Sequence, residues 1–414
     1  MERPHPPRGG PLSGTRVVVV NWRDLDHALA GGAEIYAWQF ARGLHEAGAR
    51  VDFVTARDRG RGQAQTARET RDGIAVRRGG GPLTFYAFAL LWLLRHRRRI
   101  DAVIDPACGL PSFSPLVVRR GTPSLLIVHH VHQAQFAVHF PAPVAAFGRW
   151  MERVAMRHVY RRQVTAAVSA STIAEMRTQL GWTGPVRILE NGADLPAAGA
   201  FDAAAKDPDR IVVLGRLVAH KRVDLALAAV RRAQDHPQLR GRPLRVDVIG
   251  HGPERDRLVA VAARLGLDAR FHGFVPAAQK DALLAAASVH LCASDAEGWG
   301  QAVIDAAGHG LPTVARDVPG LRDSIRPGET GWLVRDSDDP TVVVDRLAAA
   351  LAAALADAVD PATRTLRAQA CRAWAGSFDW SRMRSRAADL TAQLLGRPTT
   401  PADRHHPRDA RVAV

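Results

Sequence analysis

Cysteine is scarce in this chain: 414 residues hold three, Cys108, Cys292 and Cys371, far apart and odd in number. No two of them have a metal-binding spacing, and no disulfide framework follows from one unpaired thiol, so the sequence fits a reducing cytoplasm. Long apolar runs are also lacking. The N-terminus MERPHPPRGG is basic and rich in proline and glycine. The valines at 17–20 behind it are too few for a signal core or a membrane span, and nothing elsewhere approaches about 18 uninterrupted apolar residues. A helix-turn-helix, an RNP pattern and a zinc finger are all missing, which leaves net charge as the only argument for nucleic acid, and no nucleic-acid partner is expected. Gly250-His251-Gly252 is a fragment of a dinucleotide fingerprint without its third glycine or the later acidic residue, which argues against NAD.

What is present suits a soluble globular protein, with 47% apolar and 23% charged residues. A single core rarely grows past about 250–300 residues, so two domains are expected. The net charge of +15 is unevenly placed: residues 17–190 carry +10 and residues 191–396 carry +1. The first half therefore suits an anionic partner, namely membrane lipid or a phosphorylated acceptor. The alternative is a solvated arginine-rich surface.

Short apolar runs alternate with helical patterns twice along the chain. RVVVVNW, RVDFVTA, GIAVRR, IDAVIDP, PSLLIVHH and VTAAVSAS read as strands of a first α/β domain over residues 15–190. After a loose stretch at 196–209 the rhythm restarts with RIVVLGR, LRVDVIG, ARFHGFV, SVHLCAS, LPTVAR and TGWLV, giving a second domain over 191–373. Runs of this length between helices indicate doubly wound parallel sheets. Residues 374–396 read as a last helix returning toward the first domain; 1–14 and 397–414 read as disordered tails. Two Rossmann-like domains imply a cleft, and open α/β sheets bind ligands beyond the carboxyl ends of their strands.

Two stretches of the second domain carry chemistry at such ends. Arg216 follows a strand and Lys221 precedes a helix, a pairing of cations suited to a diphosphate. In A296-E-G-W-G-Q-A-V-I-D305, Glu297 lies in a loop, Gly298 and Gly300 bare the backbone amides, and Asp305 lies inside the following helix. A loop carboxylate and a helix carboxylate can hold two hydroxylated parts of one ligand while the amides between hold its phosphate. That pattern fits a sugar–diphosphate–ribose.

The ordered set of motifs resembles the retaining GT-B glycosyltransferases of family 4, also described as glycosyl transferases group 1, from about Val17 to Leu395. The glycine loop Gly31-Gly32-Ala33-Glu34, the strand-then-His at His129, Asn191-Gly192, Gly215-Arg216-Leu217 with Lys221, Gly250-His251-Gly252-Pro253, Phe271-His272-Gly273-Phe274-Val275 and the pair Glu297 and Asp305 agree in order and spacing. The resemblance implies a GT-B fold with an acceptor domain at 15–190 and a nucleotide-sugar domain at 191–373. It implies that Arg216 and Lys221 stabilise the departing nucleotide, that Glu297 holds the donor sugar, and that His129 lines the sugar site. Donor contacts are implied for Gly31, Gly32, Gly215, Gly252, Phe274, Gly298, Trp299, Gly300, Gln301 and Asp305. The expected donor is UDP- or GDP-linked, with no metal and no other cofactor, and the acceptor is lipid-linked or phosphorylated. One departure stands out: the family usually carries Glu where this chain has Asp305, one methylene shorter. The rival from another class is a non-catalytic module of the same fold that binds nucleotide sugar or membrane.

Other motifs have plainer readings. His129, His130, His132 and nearby His139 lack a carboxylate or cysteine to complete a metal set. Asp336-Ser337-Asp338 matches a metal–diphosphate DxD but sits before a helix, where capping by Asp or Ser suffices. The segment TFYAFALLWLLRHRRR, with Phe85, Phe88, Leu91, Trp92 and Leu94 spread widely and Arg95, Arg97, Arg98 and Arg99 after them, suits either a sheet-covering helix or an anionic membrane surface; the basic run Arg149–Arg162 resembles it. A cytoplasmic protein, peripheral at the inner face of the plasma membrane, is the expected location.

Overall fold

The computed structural model describes residues 9–27, 30–58, 65–81, 84–107, 109–133, 135–136, 141–196 and 202–399. They form two compact units, one from residues 1–192 with 380–414, the other Ala193–Asp379. Each is described in its own frame.

The first unit is built on one sheet of β1 (Arg16–Val20), β2 (Arg50–Thr55), β3 (Arg68–Arg71), β4 (Ile74–Arg78), β5 (Ala102–Ala107), β6 (Ser124–Val128), β7 (Val164–Ala167) and β8 (Val186–Ile188). The order is β3-β4-β2-β1-β5-β6-β7-β8, parallel except at the β3–β4 edge. The four valines of β1 are all buried, as a strand covered on both faces requires. Strand β3 escapes sequence reading because RETR has no apolar residue. Its register is set by the turn at Asp72 and Gly73, both at positive φ (50° and 78°), the Asp-Gly signal of a tight hairpin. Glu69 of β3 joins Asp24 and Asp26 around the buried Arg78, at 3.0, 2.5 and 3.0 Å. The Asp24–Asp26 loop thus compensates a buried cation.

Helix Phe85–His96 buries Phe85, Ala89 and Leu93, one stripe at four-residue spacing. Leu91 and Leu94 point outward, 67% and 42% exposed. The basic run at 149–162 proves helical too: Ala142–Trp150 continues through a π-helical turn, Met151–Ala155, into Met156–Tyr160. Helix Trp380–Leu394 packs on Gly32–Glu46 closely enough that a Cβ on Gly43 would lie 2.7 Å from the Arg384 carbonyl oxygen.

The expected tails need correction at their inner ends. Leu12 is fully buried, and its amide donates to Ala47 O at 3.0 Å. The Arg397 guanidinium donates to Ser13 O at 2.7 Å. Residues 9–14 and 397 therefore belong to the folded body, while 1–8 and 400–414 lie outside the described residues. The linker read at 196–209 is likewise shorter: Lys206 is buried and donates to the carbonyls of Ala287 and Ala285, at 3.0 and 3.2 Å, capping the end of a helix. Residues 197–201 lie outside the described residues.

The second unit carries β9 (Arg210–Leu214), β10 (Arg245–Ile249), β11 (Asp268–Gly273), β12 (Val289–Cys292), β13 (Thr313–Arg316) and β14 (Gly331–Val334). All pairs are parallel, in the order β11-β10-β9-β12-β13-β14. Helix Pro361–Ala375, not anticipated, starts from the Asp360 cap with proline at its first position and buries Cys371 and Trp374. Among the described residues no helix is long and apolar enough to cross a membrane. The chain runs outward from β9 to β11 and then returns to place β12 beside β9. That reversal opens a crevice at the carboxyl ends of β9 and β12.

Candidate functional site

Both loops singled out in the second half leave the sheet at that reversal. Beyond β9, Gly215 (φ 152°) and Arg216 lead into a 3-10 turn, Ala219–Lys221, and Arg222 follows in the left-handed region at φ 46°. A positive φ on an arginine costs about 1–3 kcal/mol. Beyond β12 come Ser294 and Glu297, and Gly300 (φ 82°) caps helix Gln301–Gly308.

The two loops meet through a charged pair. The Lys221 ammonium donates to Glu297 Oε1, and the Ser294 hydroxyl donates to the same oxygen at 2.8 Å. Burial acts to raise the Glu297 carboxyl, but Lys221 and Ser294 outweigh it and hold it below the usual carboxylate range. Burial and the Lys221 charge push His220 down, so it is neutral near pH 7. Arg216 is exposed, and among the described residues its guanidinium has no partner. The Lys221 and Glu297 charges cancel, leaving Arg216 unpaired among the described residues at the mouth of the crevice, a setting that attracts a phosphate.

Gly250 and Gly252 have a structural reason of their own. The turn after β10 lies directly on the turn after β9: Leu217 N–H donates to His251 O at 2.9 Å and Glu254 N–H to Leu217 O at 3.1 Å. A Cβ on Gly250 would fall 1.8 Å from Gly215 O, and one on Gly252 would fall 2.2 Å from Leu217 O. Phe274 stands 66% exposed, edge-on to His251 with ring centroids 5.9 Å apart. The Trp299 side chain, expected to face a ligand, is instead 3% exposed and packs on Phe378 at 4.8 Å. It anchors the loop to the helix that ends at Ala375 and the turn after it.

Asp305 is not free. Its Oδ2 lies 3.4 Å from the Lys280 ammonium, and its Oδ1 accepts from Gln301 Nε2 at 3.1 Å. Lys280, on helix Ala277–Ala286, was missed by sequence reading because its partner is 25 residues away. The DxD candidate dissolves into structure: Asp336 pairs with Arg316 at 2.6 Å, and the helix cap is Asp339, whose carboxylate accepts from Thr341 N–H at 2.8 Å.

In the first unit, the Gly31 amide donates to Glu34 Oε2 at 2.7 Å, the carboxylate half of a capping box at the start of Gly32–Glu46, and Glu34 Oε1 accepts from Arg23 at 2.7 Å. His129 directly follows β6, buried edge-on against Tyr36 at 4.8 Å, and among the described residues its Nε2 has no partner. Burial pushes it down to about 3, so it is neutral. The His130 and His132 rings lie 3.9 Å apart. A carboxylate serves His132: Glu152 Oε1 accepts from its backbone N–H at 2.7 Å and lies 3.2 Å from Nδ1, while Oε2 accepts from Gln133 Nε2 at 2.7 Å. The π-turn aims Glu152 inward, and a wide turn of this kind often marks a functional position. His139 lies outside the described residues. Among those described, no group of three potential metal ligands is gathered.

Burial raises the Glu152 carboxyl to about 7 and lowers His132 to about 4, so both are neutral in mildly acidic solution. A carboxyl raised on folding stabilises the fold below its unfolded value and loses that contribution as pH rises toward 7. Glu152→Gln is therefore expected to gain about 3 kcal/mol relative to the parent between pH 4.5 and pH 8. Urea unfolding of both proteins across that range measures it; a difference independent of pH refutes the assignment.

Two family models match the chain: Glycosyltransferase Family 4 over residues 30–196 and Glycosyl transferases group 1 over residues 200–365. Among curated proteins, a D-inositol 3-phosphate glycosyltransferase of Geodermatophilus obscurus is 35% identical over 198 residues, covering 46% of this chain and 41% of that protein. The chain thus spans about two fifths of that relative's length. A GDP-mannose-dependent alpha-(1-6)-phosphatidylinositol monomannoside mannosyltransferase of Mycolicibacterium smegmatis is 28% identical over 313 residues, 70% of this chain and 75% of that one. Among solved structures, sucrose-phosphate synthase from Thermosynechococcus elongatus aligns with a TM-score of 0.73 at 20% identity, covering 92% of this chain and 99% of that one. HepE of Anabaena, in complex with UDP and glucose, aligns with a TM-score of 0.63 at 16% identity, over 92% and 100%. At those identities the likeness is one of fold: two Rossmann-like units of the GT-B class.

Proposed function

Since this chain belongs to the family 4, group 1 glycosyltransferases, we propose that it moves a hexosyl group from a UDP- or GDP-sugar to an acceptor hydroxyl with retention. The observation that carries the reading is the Lys221–Glu297 pair at the strand-order reversal, with Arg216 unpaired beside it. A diphosphate in that crevice meets Arg216, Lys221 and the amides of 298–300. Those groups stabilise the charge that grows as the glycosidic bond breaks, which makes a metal unnecessary. Glu297, held ionised, accepts from sugar hydroxyls. Among the described residues no side chain is assigned as nucleophile, and the acceptor attacks from the face the nucleotide leaves, with the departing phosphate taking its proton. In the first unit, neutral His129 and the backbone of Gly32 are candidate positions for ligand contact.

Asp305 is assigned to the ribose, through a carboxylate that Lys280 and Gln301 hold in place. Asp305→Glu supplies the reach of the family residue and is expected to leave donor affinity equal or up to about threefold tighter. Calorimetric titration with the donor decides; a loss of tenfold or more contradicts the ribose role.

The basic first half and the relatives named for inositol phosphate and phosphatidylinositol mannoside support a phosphorylated or lipid-linked acceptor. Two exposed apolar sets in that unit, Leu91 with Leu94 and Val144 with Phe147 and Trp150, stand among arginines, which supports docking on an anionic inner-membrane surface. Envelope polysaccharide, glycolipid or natural-product assembly is the matching setting. Incubation with UDP-, GDP- and ADP-sugars and candidate acceptors, followed by NMR of the product, tests the proposal. One donor class is expected to release nucleotide and give a product with the donor's anomeric configuration. Inversion sinks the mechanism, and donor binding without any turnover favours a non-catalytic module.

A further inference from the structure

The amino-terminal edge of the first sheet, opposite the edge where β6 ends at His129, gathers positive charge with little to balance it. Strands β5, β6 and β7 are neighbours, with Val103 level with Ser124 and Leu125 level with Val164. Each is entered from an arginine run: Arg97–Arg99 before β5, Arg119 and Arg120 before β6, Arg161 and Arg162 before β7. Topology therefore brings seven arginines, separate in sequence, to one edge. All seven are exposed, and among the described residues none has a side-chain partner. The carboxylate at the entry to β5, Asp101, already accepts from the Arg16 amide at 2.8 Å. Elsewhere the chain pairs some of its arginines, as at Arg78 and Arg316.

The middle of this edge is concave. A depression of about 550 Å³ is lined by Arg119, Arg120 and Arg162, with Thr122 and Gln163 as neutral polar groups. Gln163 is fixed there, its Oε1 accepting from the Ser124 amide at 2.9 Å. Guanidinium groups recognise phosphate oxygens in a bidentate way, and like charges gathered in one hollow repel until an anion enters. We propose that this hollow is a binding site for a ligand bearing two or more phosphate charges, separate from the transfer site, with the flanking arginines widening its field. The same phosphate chemistry is offered by a soluble polyphosphorylated compound and by clustered lipid headgroups. The inference stands on the first unit alone and does not depend on the transferase reading.

The test uses the full chain at low salt with inorganic tripolyphosphate and, separately, with vesicles of phosphatidylglycerol in phosphatidylcholine. Arg119→Gln/Arg120→Gln/Arg162→Gln is compared with Arg240→Gln/Arg264→Gln/Arg270→Gln, three exposed arginines of the second unit, so net charge falls equally. The first variant is expected to lose one tripolyphosphate site, or at least about tenfold in affinity at it, while the control stays within about twofold. Vesicle binding that tripolyphosphate competes away, and that only the first variant loses, identifies headgroups as the source; tripolyphosphate binding without vesicle binding identifies a soluble ligand. Equal weakening in both variants, or no binding of either probe, overturns the site.

Discussion

Lys221→Ala is expected to lower kcat by roughly 10²–10³-fold, the usual effect of deleting one group that stabilises developing charge. Two losses act together. The departing phosphate loses a cation, and Glu297 keeps the Ser294 hydroxyl, at 2.8 Å, against the burial that already opposes its ionisation. The Glu297 carboxyl is then expected to titrate higher, so the residual activity of the variant rises with pH where that of the parent is flat. Lys221→Ala/Glu297→Gln separates the two effects: it removes the stranded carboxylate, restores the melting temperature, and leaves transfer as low as before. A single variant that keeps more than a tenth of parental kcat contradicts the role given to Lys221.

Gly250→Ala is expected to be the most damaging small change in the second unit. The new methyl would lie 1.8 Å from Gly215 O, and φ there is 142°. Backbone cannot yield as a side-chain tip does, so the turn after β10 must lift off the turn that carries Arg216. A loss of about 3 kcal/mol or more is expected from clash and strain together. Gly241→Ala isolates the strain: φ is 82°, with nothing within 4 Å of the added methyl, and about 1 kcal/mol is expected. Chemical unfolding of the two variants checks the contrast, and donor titration is expected to fail for Gly250→Ala even at temperatures where it remains folded. Equal stability of the two variants refutes the packing account of this glycine.

The fold was legible wherever a strand is buried on both faces, because RIVVL or SLLIV has few other uses. It was illegible where burial does not dictate composition. Strand β3 holds its edge through ion pairs and a Asp72-Gly73 turn, and helix Pro361–Ala375 announces itself only by Asp360 and Pro361 at its start. The site divided the same way. Residues fixed by local backbone, such as Gly300 at the start of a helix, could be read in order along the chain. Residues fixed by distant partners could not: Lys280 beside Asp305, Glu152 under His132, and Ser294 on Glu297 become visible only when the sheet brings their elements together. Trp299 shows the same limit: the family resemblance implied a donor contact, while Phe378, far along the chain, takes its ring. A donor contact was implied for Gly252 too, and the space beside it is filled by the neighbouring turn.

The claim underlying all of this is that the crevice between β9 and β12 holds a nucleoside-diphosphate sugar. Thermal melting of the full chain across UDP-, GDP- and ADP-sugars tests it most directly, because a ligand at a hundredfold excess over Kd stabilises the folded state by about 2.7 kcal/mol. A rise of several degrees is expected with one nucleotide class, smaller in Lys221→Ala and unchanged in Arg240→Gln. No rise with any donor, or a rise in Lys221→Ala as large as in the parent, contradicts it.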